Sequence, residues 1–260
     1  MPLTNFQLKI AQLLAVNRSD DSYLAGGAAL HFSPNSKRYS NDLDYFHDSV
    51  ERVASAFNVD RATLINAGFA VEIQMNQPGF IRAIVTKEGD ATKIEWAHDS
   101  AWRFMPPIKN SEVGTQLHPI DLAINKLLAL AGRDEPRDFL DILDIHSNIL
   151  PLGALLWAAV GKDPGFTPFS LLEIIRRRGK YRPEDFARLN LSQPVDLVAN
   201  KKLWLAALND AEQFVGSRPP SEIGAIYFSK SSRKFVMPSS ADEVLLHYGS
   251  PGGVLPKYLI

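Results

Sequence analysis

The residues best placed to do chemistry lie in Arg38-Tyr39-Ser40-Asn41-Asp42-Leu43-Asp44. The alternation from Asp42 to Phe46 predicts a strand, so the side chains of Asp42 and Asp44 share one face. Two carboxylates held that way repel each other and resist ionising together. A divalent cation relieves the repulsion, and hard oxygen donors of this kind suit Mg²⁺, with Mn²⁺ as the alternative ion. A third carboxylate from a neighbouring strand would complete a set for one or two ions. Glu95, between Ile94 and Trp96, is the leading candidate, with Asp99 and Glu72 as substitutes.

Upstream, Tyr23-Leu24-Ala25 reads as a short apolar strand running into Gly26-Gly27, with a helix opening at Ala28. Glycines at such a turn let backbone N–H groups approach a phosphate closely. A tight, closely packed turn is the plain structural alternative. A glycine pair followed by Asp-x-Asp on the next strand is more specific than either part alone.

The elements that must hold these residues follow from periodicity. Helices are predicted over Asn5–Val16 and Ser49–Ala67, the second closed by Gly68. Strands are predicted at Phe69–Met75, Ile81–Thr86 and Thr92–Ala97, with a loop over Ser33–Ser40. Beyond Pro106-Pro107 the pattern turns helical: Asp121–Ala131, Pro136–Ile149, Leu152–Val160, Phe169–Arg178, Pro183–Leu189 and Val195–Phe214. A β-hairpin is expected over Gly224–Met237, then an irregular tail rich in Gly and Pro. The expected divisions are a core over 1–115, a helical region over 116–216, and a hairpin with tail over 217–260.

The second half holds fewer candidates. Lys126 sits on an otherwise apolar helix, where it either snorkels to solvent or serves a site. Arg137, Asp138 and Asp141 make either a helix-start charge cluster or functional groups. Arg176, Arg177, Arg178, Lys180 and Arg182 form the densest basic run. They could grip RNA phosphates, or simply suit a solvated helix C-terminus.

Composition sets bounds on all of this. The chain has 260 residues, no cysteine and a formal net charge of −1. Disulfides, thiolate metal sites and a cysteine nucleophile are excluded. Residues 1–150 carry 14 Lys and Arg against 19 Asp and Glu, and residues 151–260 carry 14 against 10. No apolar run reaches the roughly 18 residues of a membrane span, and the N-terminal stretch reads as an amphipathic helix rather than a signal peptide. A cytoplasmic location is the expectation. The histidines show no ligand spacing, and neither a G-x-S-x-G nor a Walker A sequence occurs.

Four segments together resemble the AbiEii/AbiGii toxin family of the polymerase-beta-like nucleotidyltransferases. They are Leu24-Ala25-Gly26-Gly27-Ala28-Ala29-Leu30, Arg38-x-Ser40-x-Asp42-Leu43-Asp44-x-Phe46, Asp121–Leu130 with Lys126, and Arg137-Asp138-x-x-Asp141. The resemblance covers about residues 20–145. It implies an α+β fold: a nucleotidyltransferase domain with a mixed sheet flanked by helices, then a mostly helical C-terminal region with a short hairpin. It implies Mg²⁺-dependent transfer of a nucleoside monophosphate from an NTP, with release of pyrophosphate. Gly26 and Gly27 would cradle the triphosphate, Arg38 and Ser40 would contact phosphates, and Asp42 and Asp44 would hold the metal. Lys126 would neutralise phosphate charge, and Asp138 would orient Lys126 or activate the acceptor. The acceptor implied is the 3′ end of tRNA, within a type IV toxin–antitoxin system that includes an antitoxin partner. Glu95 departs from the aspartate expected as third carboxylate. Two alternatives stand beside this: a protein AMP-transferase of the same fold, and a non-catalytic nucleotide-binding regulatory module.

Overall fold

The computed structural model describes residues 3–32, 38–239 and 243–257. The chain divides into two compact units, the first comprising residues 1–118, 190–193 and 251–253 and the second the remainder.

The first unit is built on a seven-stranded mixed sheet. Its strands are β1 (Ser22–Ala25), β2 (Asp42–His47), β3 (Ala70–Gln77), β4 (Phe80–Lys87), β5 (Asp90–His98), then, after the two-residue β6 (Trp102–Arg103), β7 (Ile108–Asn110) and β8 (Gly114–Gln116). The order across the sheet is β3-β4-β5-β2-β1-β8-β7. Strands β2 and β5 run parallel, as do β1 and β8, while the other neighbours are antiparallel. The short β7 and β8 have too little apolar alternation to announce themselves, and the sequence reading places no strand there.

Helices α1 (Asn5–Leu14) and α3 (Val50–Asn66) cover one face of the sheet. The period of two explains why: Leu43 and Tyr45 on β2, Ile94 and Trp96 on β5, and Ile81, Ala83 and Val85 on β4 are all buried. They meet Ile10, Leu14, Val53, Phe57 and Leu64 from the helices. Within this core Arg18 pairs with Asp60 at 2.6 Å, and the Trp96 indole N–H donates to the same carboxylate at 2.7 Å. Gly68, at φ +80°, follows α3 in the left-handed conformation expected of a residue just past a helix end. The short α2 (Gly26–Leu30) starts two residues earlier than the sequence suggests, since Gly26 at φ +61° turns the chain from strand into helix at once. Of the loop expected over residues 33–40, residues 33–37 lie outside those described.

His47, at the end of β2, is fully buried, and neither ring nitrogen has a hydrogen-bond partner among the described residues. Burial, reinforced by the charges of Arg18 and Arg52, pushes its pKa down to about 3. The unfolded chain takes up this proton near the ordinary histidine value, so between these limits the unfolded state binds more protons. Stability is therefore lost as pH falls from about 6.5 towards about 3. Denaturant unfolding at about pH 5 should show roughly 2 kcal/mol less stability from this group than at about pH 7.5. His47→Gln should flatten that part of the pH dependence; an unchanged slope would contradict the assignment.

The second unit is a helical bundle: α4 (Pro119–Gly132), α5 (Pro136–Asn148), α6 (Leu152–Lys162), α7 (Pro168–Arg176), α8 (Pro183–Phe186) and α9 (Leu197–Ser217). Residues 152–160 of α6 are buried throughout, and α4, α7 and α9 pack around them. Helix α8 ends earlier than expected, because Ala187 and Leu189 donate three residues back, to Glu184 and Phe186, and tighten the chain into turns. The hairpin is β9 (Ile226–Ser229) with β10 (Lys234–Val236), and an unanticipated strand β11 (Val244–His247) flanks the other edge of β9. Among the described residues no single helix is long and apolar enough to cross a membrane.

Candidate active site

In the first unit the strand period that buries one face of the sheet lays a polar row on the other. Asp42 stands beside Lys93 and Asp44 beside Glu95, and Arg82 on β4 is the neighbour of Glu95. On the other side of β2, Ala25 pairs with Asp44, so Gly26 leaves β1 beside this carboxylate.

The glycine pair is fitted to the acidic pair. A Cβ built on Gly26 would lie 1.8 Å from Asp44 Oδ2, and Gly26 also needs its positive φ. A Cβ on Gly27 would lie 2.9 Å from Arg38 Nη2 and 3.1 Å from Ser40 Oγ. The structure thus brings Gly26, Gly27, Arg38, Ser40, Asp42 and Asp44 together. With only five residues in α2, its dipole adds little; backbone approach is what the glycines supply.

The loop before β2 is anchored from several sides. Ser40 Oγ donates towards Asp42, 3.0 Å from its carbonyl oxygen and 3.2 Å from Oδ1. The Gln7 amide on α1 donates to the Ser40 carbonyl at 3.2 Å and to Thr92 Oγ1 at 3.3 Å. Arg38 forms a bridge with Leu191, and the Tyr39 N–H donates to the Asn190 carbonyl at 3.0 Å. Arg38 and Ser40 are buried, whereas Asp44 is half-buried.

Glu95 sits in a different arrangement from the three-carboxylate set expected of it. Its Oε1 is 2.8 Å from Arg82 and 2.9 Å from Lys93 Nζ, and the same ammonium is 2.9 Å from Asp42 Oδ2. Among the described residues no group of three or more His, Asp or Glu side chains is gathered as for a metal. Burial works against charge on Lys93, but its hydrogen bonds to Glu95 and Asp42 outweigh it and hold the pKa above the usual lysine value. Lys93 and Arg82 escaped the sequence reading. Lys93 stands two residues before Glu95 and so shares its face, but which strand lies alongside β5 is not written locally. The substitutes Glu72 and Asp99 are remote. Glu72 is on β3, three strands and roughly 14 Å from β2, and Asp99 lies four residues beyond Glu95, roughly 13 Å along the strand.

In the second unit, Lys126 and the acids of α5 form a buried charge cluster. Lys126 Nζ is 3.1 Å from Asp138 Oδ1 and 2.9 Å from Asp141 Oδ2, and Arg133 Nε is 2.7 Å from Asp138 Oδ2. All three α4–α5 partners Lys126, Asp138 and Asp141 are buried, so Lys126 does not snorkel to solvent. Lys126→Met would leave Asp141 without this cation in a dry setting. A loss of about 3 kcal/mol in denaturant stability is expected, with part regained in Lys126→Met/Asp141→Asn. Unchanged stability in the single variant would contradict this picture of the cluster.

The basic run divides by use. Arg176 pairs with Glu173 at 3.1 Å and Glu212 at 2.9 Å, and Arg178 donates to the Ala131 carbonyl at 2.5 Å. These two serve the bundle. Arg177, Lys180 and Arg182 are directed to the exterior, with Arg177, Lys180 and Arg182 all exposed.

Neither a protein-family model nor a curated protein matches the chain. Solved structures do. MenT4, a nucleotidyltransferase toxin from Mycobacterium tuberculosis, is 17% identical with a TM-score of 0.59, the match covering 83% of each chain. JHP933 from Helicobacter pylori is 20% identical with a TM-score of 0.48, over 81% of this chain and 91% of that one. The chain thus shares the α+β fold of that nucleotidyltransferase structure, as the motifs implied: a mixed sheet flanked by helices, then a helical region.

Proposed function

We propose that this protein is a nucleotidyltransferase that moves a nucleoside monophosphate from an NTP to an acceptor hydroxyl and releases pyrophosphate. The observation that carries the reading is the fit of Gly26 against Asp44, where any side chain at residue 26 would occupy the space of the carboxylate. A glycine kept there brings main chain against an acidic pair, the arrangement a metal-bound triphosphate needs.

Two carboxylates on one strand face, lined by main chain, fit a hard divalent cation, Mg²⁺ or Mn²⁺, with Asp42 and Asp44 as its holders. Such an ion, when bound, offsets negative charge on the phosphates and on the entering and leaving oxygens. Around it the chain does the positioning. Gly26 and Gly27 admit the triphosphate to the main chain, and Arg38 and Ser40 donate to its oxygens. Glu95 holds Lys93, which stands beside Asp42, and Arg82 next to it, adding two cations to the same face. The acceptor hydroxyl gives its proton to solvent as its oxygen attacks the α-phosphorus, the bond to the bridging oxygen breaks, and pyrophosphate departs with that electron pair. Positioning and electrostatics supply most of the rate in such transfers. From the family resemblance we assign Lys126 to phosphate charge and Asp138 to holding Lys126. The same resemblance names the acceptor, the 3′ end of tRNA, and a toxin role restrained by an antitoxin.

The test is pyrophosphate release by the purified chain with each NTP, Mg²⁺ and total tRNA, against EDTA controls. Release that needs the NTP, the ion and the tRNA supports the reading. NTP binding without release, with tRNA or protein acceptors supplied, would make the chain a nucleotide-binding module instead.

A further inference from the structure

The second unit holds a cavity of about 290 Å³ that the transfer reaction does not use. Phe139, Tyr181 and Phe186 wall it, with Leu197, and Lys180, Asn200 and Lys201 stand at its margin. The aromatic wall is built rather than incidental. Phe139 and Tyr181 lie 5.3 Å apart between ring centroids, Tyr181 and Phe186 5.7 Å, and Trp204 backs Phe139 at 5.2 Å. The Tyr181 hydroxyl donates to Asp134, which fixes the ring. Gly179, at φ +79°, carries the main chain past this wall where a Cβ would lie 2.8 Å from Phe139 and 2.9 Å from Trp204 Nε1.

The polar margin is as informative as the wall. Lys180 and Lys201 are exposed, and among the described residues neither ammonium has an ion-pair or hydrogen-bond partner. The side-chain amide of Asn200 is likewise unengaged. The half-buried Tyr181 presents the accessible ring of this lining, with Phe139 and Phe186 packed against it at 57° and 81°. An aromatic ring selects a planar partner, two unpaired ammoniums select an anion attached to it, and an amide can read that partner's edge. Single-stranded nucleic acid is held by this combination of stacking surface and cations.

We infer that this cavity binds one unpaired nucleotide, its base against the Tyr181 ring that Phe139 and Phe186 support and its phosphate at Lys180 and Lys201. The nucleotide comes either free or from a single RNA strand. This site goes beyond the transfer reaction and shares no residue with the site around Asp42 and Asp44, so each can fail alone.

Calorimetric titration of the full chain in EDTA, which suppresses metal-dependent nucleotide binding, tests it. The probes are AMP, CMP, GMP and UMP, a single-stranded RNA hexamer, a duplex of equal length, and inorganic phosphate. Mononucleotide or hexamer binding is expected, with duplex and phosphate at least about tenfold weaker. Binding of mononucleotides as tight as the hexamer assigns free nucleotide; binding of the hexamer alone assigns RNA. Lys180→Ala/Lys201→Ala alters only exposed side chains; it should weaken binding about tenfold and flatten its salt dependence. Tyr181→Phe should keep the affinity, and Leu197→Trp, which fills the cavity, should remove it. Binding that survives both the lysine and the tryptophan variants, phosphate binding equal to nucleotide, or no binding by any probe would overturn the inference.

Discussion

Asp42→Ala and Asp44→Ala are each expected to cut nucleotide transfer by about a thousandfold or more, while leaving the protein folded. Asp42 also serves the fold, since its Oδ2 lies 2.9 Å from Lys93 Nζ and its Oδ1 accepts from Ser40 at 3.2 Å, so Asp42→Ala should melt somewhat below the parent. Asp42 and Asp44 share one face of β2, so each raises the cost of ionising the other. Asp44→Ala relieves that repulsion and keeps the Asp42–Lys93 pair, so it should cost less stability than Asp42→Ala. The rate loss follows from the charge stabilisation of several kcal/mol that a metal supplies, at about 1.4 kcal/mol per factor of ten. Asp44→Asn isolates charge from shape and should lose nearly as much. The check pairs a melting curve with pyrophosphate release. A variant as active as the parent, or one that melts far below it, would show that the acids are structural.

Gly26→Ala is expected to lose about a hundredfold in activity and about 2 kcal/mol in stability. Two costs combine at this residue. Its φ of +61° belongs to the left-handed region, where a Cβ costs about 1–2 kcal/mol. The new methyl would also lie 1.8 Å from Asp44 Oδ2, so carboxylate or main chain must move. A displacement of about 1 Å at reacting groups is enough for a hundredfold loss. Gly89→Ala separates the two costs: its φ is +90° but a Cβ there meets nothing within 4 Å, so it should lose stability only. Gly27→Ala should be milder, since Gly27 needs no left-handed φ and its methyl would lie 2.9 Å from Arg38 Nη2 and 3.1 Å from Ser40 Oγ instead of 1.8 Å from a carboxylate. Equal activity of the Gly26 and Gly89 variants would remove the steric argument.

Much of this was legible in the sequence, and the limits have physical causes. Asp42 and Asp44 could be placed on one face because the period of a strand is local, and the glycine pair could be tied to them by spacing. Long helices announced themselves through apolar periodicity, as α3, α4, α5 and α9 show. What stayed hidden was strand order. That β5 lies beside β2, setting Lys93 against Asp42 and drawing Glu95 into ion pairs with Lys93 and Arg82, depends on contacts roughly fifty residues apart. The three-residue β7 and β8 are hydrogen-bonded extensions of a sheet that already exists, and their composition carries no signal. The basic run misled in part: Arg176 and Arg178 hold helices together, which no charge count reveals. Phe139, Tyr181 and Phe186 lie on segments whose meeting could not be read from spacing.

The most direct test of the transferase reading is label transfer from each α-labelled NTP to total tRNA, with Mg²⁺, by the parent chain and by Asp44→Asn. Label is expected on tRNA from the parent alone, lost when the 3′ ribose is oxidised beforehand with periodate. Label on tRNA from both proteins, or on no acceptor from the parent although it binds the NTP, would contradict it.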